Sequence, residues 1–312
     1  MSRIIGTGIY LPDNVVTTPP PAVDGRAPPI VQFMTGLKER RHAADHETAL
    51  YMGARAARRA LEAADVDPAD IDLVVGLMQP NQYLYPDDLF LVAHEAGCRN
   101  SVCIPVNTAC SAFLSALRLA DLMLRSGERQ RALVVTAANW VRYGRPRIEE
   151  NWFAGDGAGA VVLECGGEGL LALEETCDYR VFHTMRMRSP LVTGRPEYFE
   201  IRQDAAIDMV AEQVAAPIDV ARRLLAAHPQ WRPRWFIAHQ AGVSMLELWR
   251  RRLRLPREAL LHTFPRYANM SIANIPVTLH EYVANGTIAR GDILLLFAPA
   301  TGAHYIAMLW RY

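Results

Sequence analysis

Short unbroken apolar runs alternate along the chain with longer stretches in which apolar residues recur every three or four positions. The first pattern suits strands buried on both faces and the second suits amphipathic helices. The runs predict strands at residues 3–10, 71–77, 102–106, 131–137 and 158–164, and again at 170–176, 235–238, 293–297 and 305–310. The periodic stretches predict helices at 48–64, 86–96, 114–124, 205–227, 243–253 and 275–285. Asp65-Val66-Asp67-Pro68 closes the first of these helices, and Pro19, Pro20, Pro21, Pro28 and Pro29 make residues 14–29 a loop. Gly166-Gly167-Glu168-Gly169 is the predicted boundary between two halves, residues 1–166 and 167–312. Two strand-helix alternations of similar length predict an α/β chain, a pseudo-duplicated α/β/α/β/α sandwich.

Composition narrows the function classes. With 312 residues, 51% of them hydrophobic, the chain can bury a large core. Lys plus Arg and Asp plus Glu both number 33, so no basic field points to nucleic acid and no acidic tail is present. The five cysteines contain no C-x-x-C pair, which predicts no metal site and no disulfide framework but reduced thiols, and hence a cytoplasmic location. No run is long enough for a membrane span, and the start lacks a signal-peptide pattern.

Candidate chemistry gathers at strand-to-helix junctions. Cys110 lies between the run ending at Val106 and the helix beginning near Leu114. A helix N-terminus favours a thiolate, so Cys110 is a candidate nucleophile; a buried structural cysteine is the competing reading of that residue alone. His239 ends the apolar run 235–238, and Asn269 lies in a polar turn before the helix at 275. Either is by itself compatible with a structural role, the His as a satisfied core imidazole and the Asn as a turn former. Asn274, five residues on, is the alternative amide. The turn of the second half comparable to that of Cys110 is read as Ala241-Gly242.

Thr108-Ala109-Cys110-Ser111-Ala112-Phe113, Ala238-His239-Gln240-Ala241 and Tyr267-Ala268-Asn269-Met270-Ser271-Ile272-Ala273-Asn274-Ile275-Pro276, in that order, resemble motifs of the β-ketoacyl-acyl-carrier-protein synthase III family of the thiolase superfamily. The stretches 3–12, 35–40 and 153–160 resemble it too, and the similarity runs from Arg3 to Arg311. The resemblance implies a thiolase-like five-layer α/β/α/β/α sandwich and an acyltransferase. In that reading a thioester loads its acyl group onto Cys110. His239 and Asn269 then stabilise the enolate left by decarboxylation of a malonyl-type thioester, and Claisen condensation gives a β-ketoacyl product. The backbone N–H of Cys110 and that of Thr301 would form the oxyanion hole, Gly302 being what remains of the family's glycine run. The resemblance further implies coenzyme A or acyl-carrier-protein thioesters as substrates, no other cofactor, no metal, and a homodimer.

Departures from the family pattern bear on the substrate. Ile30-Val31-Gln32-Phe33-Met34 lacks the Trp and Arg that hold the donor arm in the family, and Gly242-Val243-Ser244-Met245 lacks an Asn and a second Arg. Arg142, Arg145 and Arg147 lie where the family places a donor-binding Arg, and Tyr85 matches the aromatic residue that caps the neighbouring subunit's acyl pocket. Met185, Met187, Tyr198 and Phe199 are candidates to line a pocket or a core, Asp87 and Asp88 to cap a helix, and Arg250, Arg251, Arg252 and Arg254 to receive an acidic carrier protein or simply to face solvent. These losses favour a specialised fatty-acid-derived or polyketide pathway. The alternatives are a non-condensing acyltransferase to an oxygen or nitrogen nucleophile, and a weakly active partner subunit of a heterodimer.

Overall fold

The computed structural model describes residues 2–17, 36–143, 153–179, 182, 185–186, 189, 200–201, 206–300 and 304–312. In chain order the elements are β1 (Ser2–Tyr10), β2 (Val15–Val16), β3 (Arg40–Arg41), α1 (Ala49–Ala64), β4 (Leu73–Gln79), α2 (Leu89–Ala96), β5 (Val102–Pro105), α3 (Ala112–Arg125), β6 (Arg131–Asn139) and β7 (Asp156–Cys165). There follow β8 (Leu170–Cys177), β9 (Met185–Arg186), β10 (Glu200–Ile201), α4 (Ala206–Ala227), β11 (Trp235–Ala238), α5 (Val243–Arg252), β12 (Leu260–Leu261), the single-turn α6 (Phe264–Tyr267), α7 (Asn274–Ala284), β13 (Ile293–Ala300) and β14 (His304–Arg311).

Two five-stranded sheets repeat one topology. The first runs β1-β7-β6-β4-β5 and the second, read from the same end, β8-β14-β13-β11-β12. In each, the second strand pairs parallel with the third and fourth, and the fifth pairs antiparallel with the fourth and first. Matching the sheets strand by strand makes β5 the counterpart of β12, and α3 the counterpart of α7. The sequence reading of Ala241-Gly242 as the counterpart of the Cys110 turn is therefore corrected. That turn follows β11, the second strand, whereas Cys110 follows the third, so its counterpart is the 268–273 turn ahead of α7. The two-residue β12 is too short to show in an apolar pattern, which hid the match.

Burial follows the layers. α3 and α7 lie between the sheets: Phe113, Leu114, Leu117 and Leu124 of α3 and Ile275 and Leu279 of α7 share one core with Val75 and Val134 of the first sheet and Leu294, Leu296 and Met308 of the second. α1 and α2 cover the outer face of the first sheet, and α4 and α5 that of the second. The result is the α/β/α/β/α sandwich. α1 packs unusually close to β1 because a Cβ on Gly8 would lie 2.3 Å from the Ala60 nitrogen, a space only glycine leaves open.

Local chemistry sets several element ends. Thr48 caps α1, its Oγ1 accepting from the Tyr51 N–H at 3.2 Å. The helix expected from residue 86 begins at Leu89, where Asp87 Oδ1 accepts the Leu89 N–H at 2.9 Å. Asp88 is buried and instead accepts from the backbone N–H groups of Gln82 and Tyr83, tying down the loop that carries Tyr85. Residues 14–29 were expected to be irregular, yet Val15–Val16 pairs with Arg40–Arg41; residues 18–29 lie outside the described ones.

Candidate active site

Cys110 sits two residues ahead of α3 in a turn made by short polar side chains. Asn107 Oδ1 accepts the Ala109 N–H at 3.2 Å, Ser111 Oγ donates to the Thr108 carbonyl at 2.7 Å, and the Ala112 N–H reaches the Ala109 carbonyl at 2.9 Å. Ala109 adopts φ +50°, left-handed geometry that costs a non-glycine residue about 1–2 kcal/mol. The turn delivers the Cys110 thiol to the positive end of a 14-residue helix, where negative charge on sulfur is favoured.

The counterpart turn brings in Asn269. Its backbone bridges the two halves, the Asn269 N–H donating to the Phe153 carbonyl and the Gly155 N–H donating to the Asn269 carbonyl, both at 3.0 Å. Asn269 Oδ1 accepts the Ser271 N–H at 2.8 Å, an Asx turn that fixes which way the amide faces and leaves Nδ2 as the donor. Ser271, at φ +48°, places its Oγ 3.7 Å from Cys110 Sγ and 3.4 Å from Gln79 Oε1. Ala268 is also left-handed, at φ +58°. Three of the five left-handed non-glycine residues among the described ones thus lie in these two turns, and such strain concentrates at functional sites. Asn274 is fully buried, and its Nδ2 donates to the Ala268 carbonyl at 3.2 Å, inside the turn.

His239 follows β11 and its N–H donates to the Phe297 carbonyl at 2.9 Å. The ring is buried, and Nδ1 has no hydrogen-bond partner among the described residues. Gln240 fixes the strand end: Nε2 donates to Thr278 Oγ1 at 2.5 Å, and Oε1 accepts the Thr263 N–H at 3.0 Å.

Of the other sequence candidates, Arg142 donates to the Ala44 and Asp45 carbonyls, so its guanidinium is tied to that loop. Tyr85 is 92% exposed. Arg145, Arg147, Met187, Tyr198, Phe199, Thr301 and Gly302, with residues 30–34, lie outside the described residues. Of Met185 only its place in β9 is described. Sequence reasoning missed Ser271 as a neighbour of the thiol and Gln79 as a neighbour of Ser271; the Asn-x-Ser spacing was the one available signal, being that of an Asx turn.

The loop beside the site has opposed titrations. Asp156, 1% exposed, accepts the Ala43 and Val141 N–H groups; burial outweighs these bonds and lifts its pKa to about 6. His42 Nε2 accepts from Arg40 Nε at 2.8 Å, and burial, then the Arg40 charge, hold the ring down at about 4. From pH 6.5 down to 4 the unfolded chain takes up a proton that folded His42 refuses, so this group removes stability as pH falls. Asp156 acts in the other sense, removing stability as pH rises from 3.8 through 6. His42→Gln keeps an acceptor for Arg40 and is expected to recover about 1–2 kcal/mol at pH ~4.5 relative to pH ~7, discounted for partial exposure, by urea denaturation at both. An unchanged pH dependence would refute the assignment.

The models for 3-oxoacyl-[acyl-carrier-protein] synthase III and for its C-terminal region match residues 104–178 and 232–312. The chain is 33% identical over 334 residues to a β-ketoacyl-[acyl-carrier-protein] synthase III of Alkalilimnicola ehrlichii, covering 100% of this chain and 99% of that one. The crystal structure of 3-oxoacyl-[acyl-carrier-protein] synthase III from Aquifex aeolicus superposes with a TM-score of 0.87 at 28% identity, each chain covered completely. The priming β-ketosynthase of the R1128 polyketide pathway superposes with a TM-score of 0.81 at 25% identity, with 99% and 96% coverage. Sandwich and sequence likeness together define a thiolase-fold condensing enzyme, an acyltransferase. Within that class, the chain belongs to the β-ketoacyl-[acyl-carrier-protein] synthase III family.

Proposed function

We propose that Cys110 takes an acyl group from a coenzyme A or carrier-protein thioester and that His239 and Asn269 direct its condensation with a malonyl-type thioester. In the first step the Cys110 sulfur bonds to the acyl carbon while the bond to the carrier sulfur breaks, and the thiol proton leaves with the carrier thiol. The oxyanion donors proposed are the N–H groups of Cys110 and Thr301. In the second step the malonyl unit loses carbon dioxide, and its electron pair spreads onto a thioester oxygen that accepts from His239 and Asn269 Nδ2. The carbanion attacks the acyl carbon, the bond to Cys110 Sγ breaks, and the β-ketoacyl thioester departs.

The observation that carries this reading is the contact between the two pseudo-equivalent turns. Cys110 Sγ lies 3.7 Å from Ser271 Oγ, and Ser271 in turn orients the Asn269 amide. Asn269 is preferred to Asn274 because its Nδ2 is the end left over from the turn, whereas that of Asn274 is spent on Ala268.

Acyl-carrier proteins are acidic partners, and the exposed Arg251, Arg252 and Arg254 offer them a basic face; Arg250 is engaged with Glu247 and the Leu255 carbonyl. A homodimer through β5 is supported by that strand's place at the sheet edge and by exposed Tyr83, Leu84, Tyr85, Phe90, Leu91 and Val102 around it. With a catalytic thiol the enzyme belongs in the reducing cytoplasm. We place the division between its halves at Gly166–Gly167, and favour a specialised pathway on the missing donor contacts.

The test is intact-protein mass spectrometry with a panel of acyl thioesters, followed by a malonyl thioester. The expected result is an acyl adduct that discharges with release of carbon dioxide and a β-ketoacyl product. Asn269→Ala is expected to keep the adduct while condensation falls about 10²–10³-fold. An adduct discharged only by alcohols or amines would overturn the condensing reading.

A further inference from the structure

A second polar chain reaches the nucleophile turn from the other side and is not used in the reaction above. Ser111, next to Cys110, is fully buried and gives its one proton to the Thr108 carbonyl at 2.7 Å. Its Oγ therefore accepts from the other partner, His304 Nδ1, also at 2.7 Å, which sets the proton of that ring on Nδ1. His304 Nε2 faces Glu175 Oε2 at 3.5 Å, and Glu175 Oε1 is ion-paired with Arg118. Arg118 belongs to α3, seven residues beyond Ser111. The contacts thus form a closed ring: from the start of α3 to the start of β14, across to β8, and back to α3 two turns further on.

The ring grades from wet to dry. Arg118 and Glu175 reach solvent, His304 is largely enclosed, and Ser111 is sealed. At the sealed end it bears on the bond that closes the turn holding Ala109 left-handed. Without His304, Ser111 Oγ would keep its bond to Thr108 but lose the donor that fixes it from the other side, a buried acceptor left unpaired beside a void, and the turn could relax toward that space. Cys110 is the residue between the strained Ala109 and Ser111, so relaxation moves its sulfur and its N–H together.

We propose that His304 acts through Ser111 as a positioning residue for Cys110, fixing thiol and backbone N–H for acyl transfer. The inference rests on Cys110 being the acylated residue.

The test measures single-turnover acylation of the full chain by an acyl-coenzyme A, with adduct formation followed by mass. His304→Ala is expected to lower the maximal acylation rate about ten- to a hundredfold while the half-saturating thioester concentration changes less than about twofold, the signature of misplaced reacting atoms. His304→Asn carries an amide N–H near the position of Nδ1 and is expected to restore the rate to within about threefold of wild type. Ser111→Ala removes the hydroxyl with little change of volume and is expected to match His304→Ala; it decides the matter should His304→Ala fail to fold. Alkylation of Cys110 by iodoacetamide needs no thioester and is expected to slow about tenfold in His304→Ala. Equal acylation rates in wild type and His304→Ala, or no rescue by Asn, would overturn the proposal. If the wild type takes no acyl group from any thioester, the reading of Cys110 fails instead, and the alkylation rate alone decides the role of His304.

Discussion

Cys110→Ala is expected to carry no acyl adduct after exposure to any thioester, and its condensation rate to fall by about 10⁴ or more, the scale seen when a covalent nucleophile is removed. The diagnostic part lies elsewhere. In the proposed reaction, decarboxylation of the malonyl unit draws on His239 and Asn269, which sit in other turns and keep their own supports: Gln240 anchors one, and the Ser271 N–H and the seam with Phe153 and Gly155 hold the other. The variant is therefore expected to release carbon dioxide from a malonyl thioester within about tenfold of the wild-type rate, since the donors facing the enolate remain. Product analysis and gas release measured on one sample separate the two steps. Loss of both together would mean that the thiol takes part in decarboxylation, and the division of labour drawn here would have to be abandoned.

Gly155→Ala is expected to be severely damaging for a single added methyl. A Cβ there would lie 2.1 Å from the Tyr267 carbonyl oxygen, a backbone atom that cannot step aside as a side-chain tip could. The same glycine donates its N–H to the Asn269 carbonyl, and Tyr267 is two residues ahead of Asn269. The clash therefore wedges open the seam on which the amide is mounted. Destabilisation of about 3–5 kcal/mol is expected, the upper range for overpacking at a backbone contact, with condensation falling at least about a hundredfold in whatever fraction stays folded. Gly127→Ala is the control: it has open space around it and φ +80°, so it bears only the left-handed penalty of about 1–2 kcal/mol. Urea unfolding of both variants makes the comparison, and similar losses would show that the seam tolerates expansion.

How legible this was in the sequence varies from element to element, for physical reasons. β6 and β13 announce themselves because strands covered on both faces are built almost wholly of apolar residues; β13 runs unbroken, and in β6 only Thr136 interrupts the run, its hydroxyl satisfied by the Ile272 carbonyl. α1 and α3 were visible from period and flanking turns. β12 was not, because two residues carry no period, and with it went the correspondence between the Cys110 and Asn269 turns. Cys110, His239 and Asn269 stood out through motif order. Ser271, Gln79, Ser111 and His304 did not, since what they do is defined by contacts made 161 to 193 residues apart in the chain. Polar residues at such positions look like ordinary loop residues until the partner is in place. Asp88 misled in the opposite way: read as a possible cap, it is buried to hold the loop before the helix.

The strand order of the second sheet has a consequence in time. β8 and β13 do not touch; each pairs with β14, which lies between them. During synthesis the first sheet has all its strands by Cys165, and Cys110 is already beyond the ribosome while Asn269 and Ser271 are still unmade. Until residues 304–311 emerge, the second sheet remains in two pieces, and α7 has β1 and β7 of the first sheet and β11 of the second to pack on. The nascent chain thus displays Cys110 early, and the turn contact on which the proposed reaction rests can form only once Asn269 and Ser271 follow, late in synthesis.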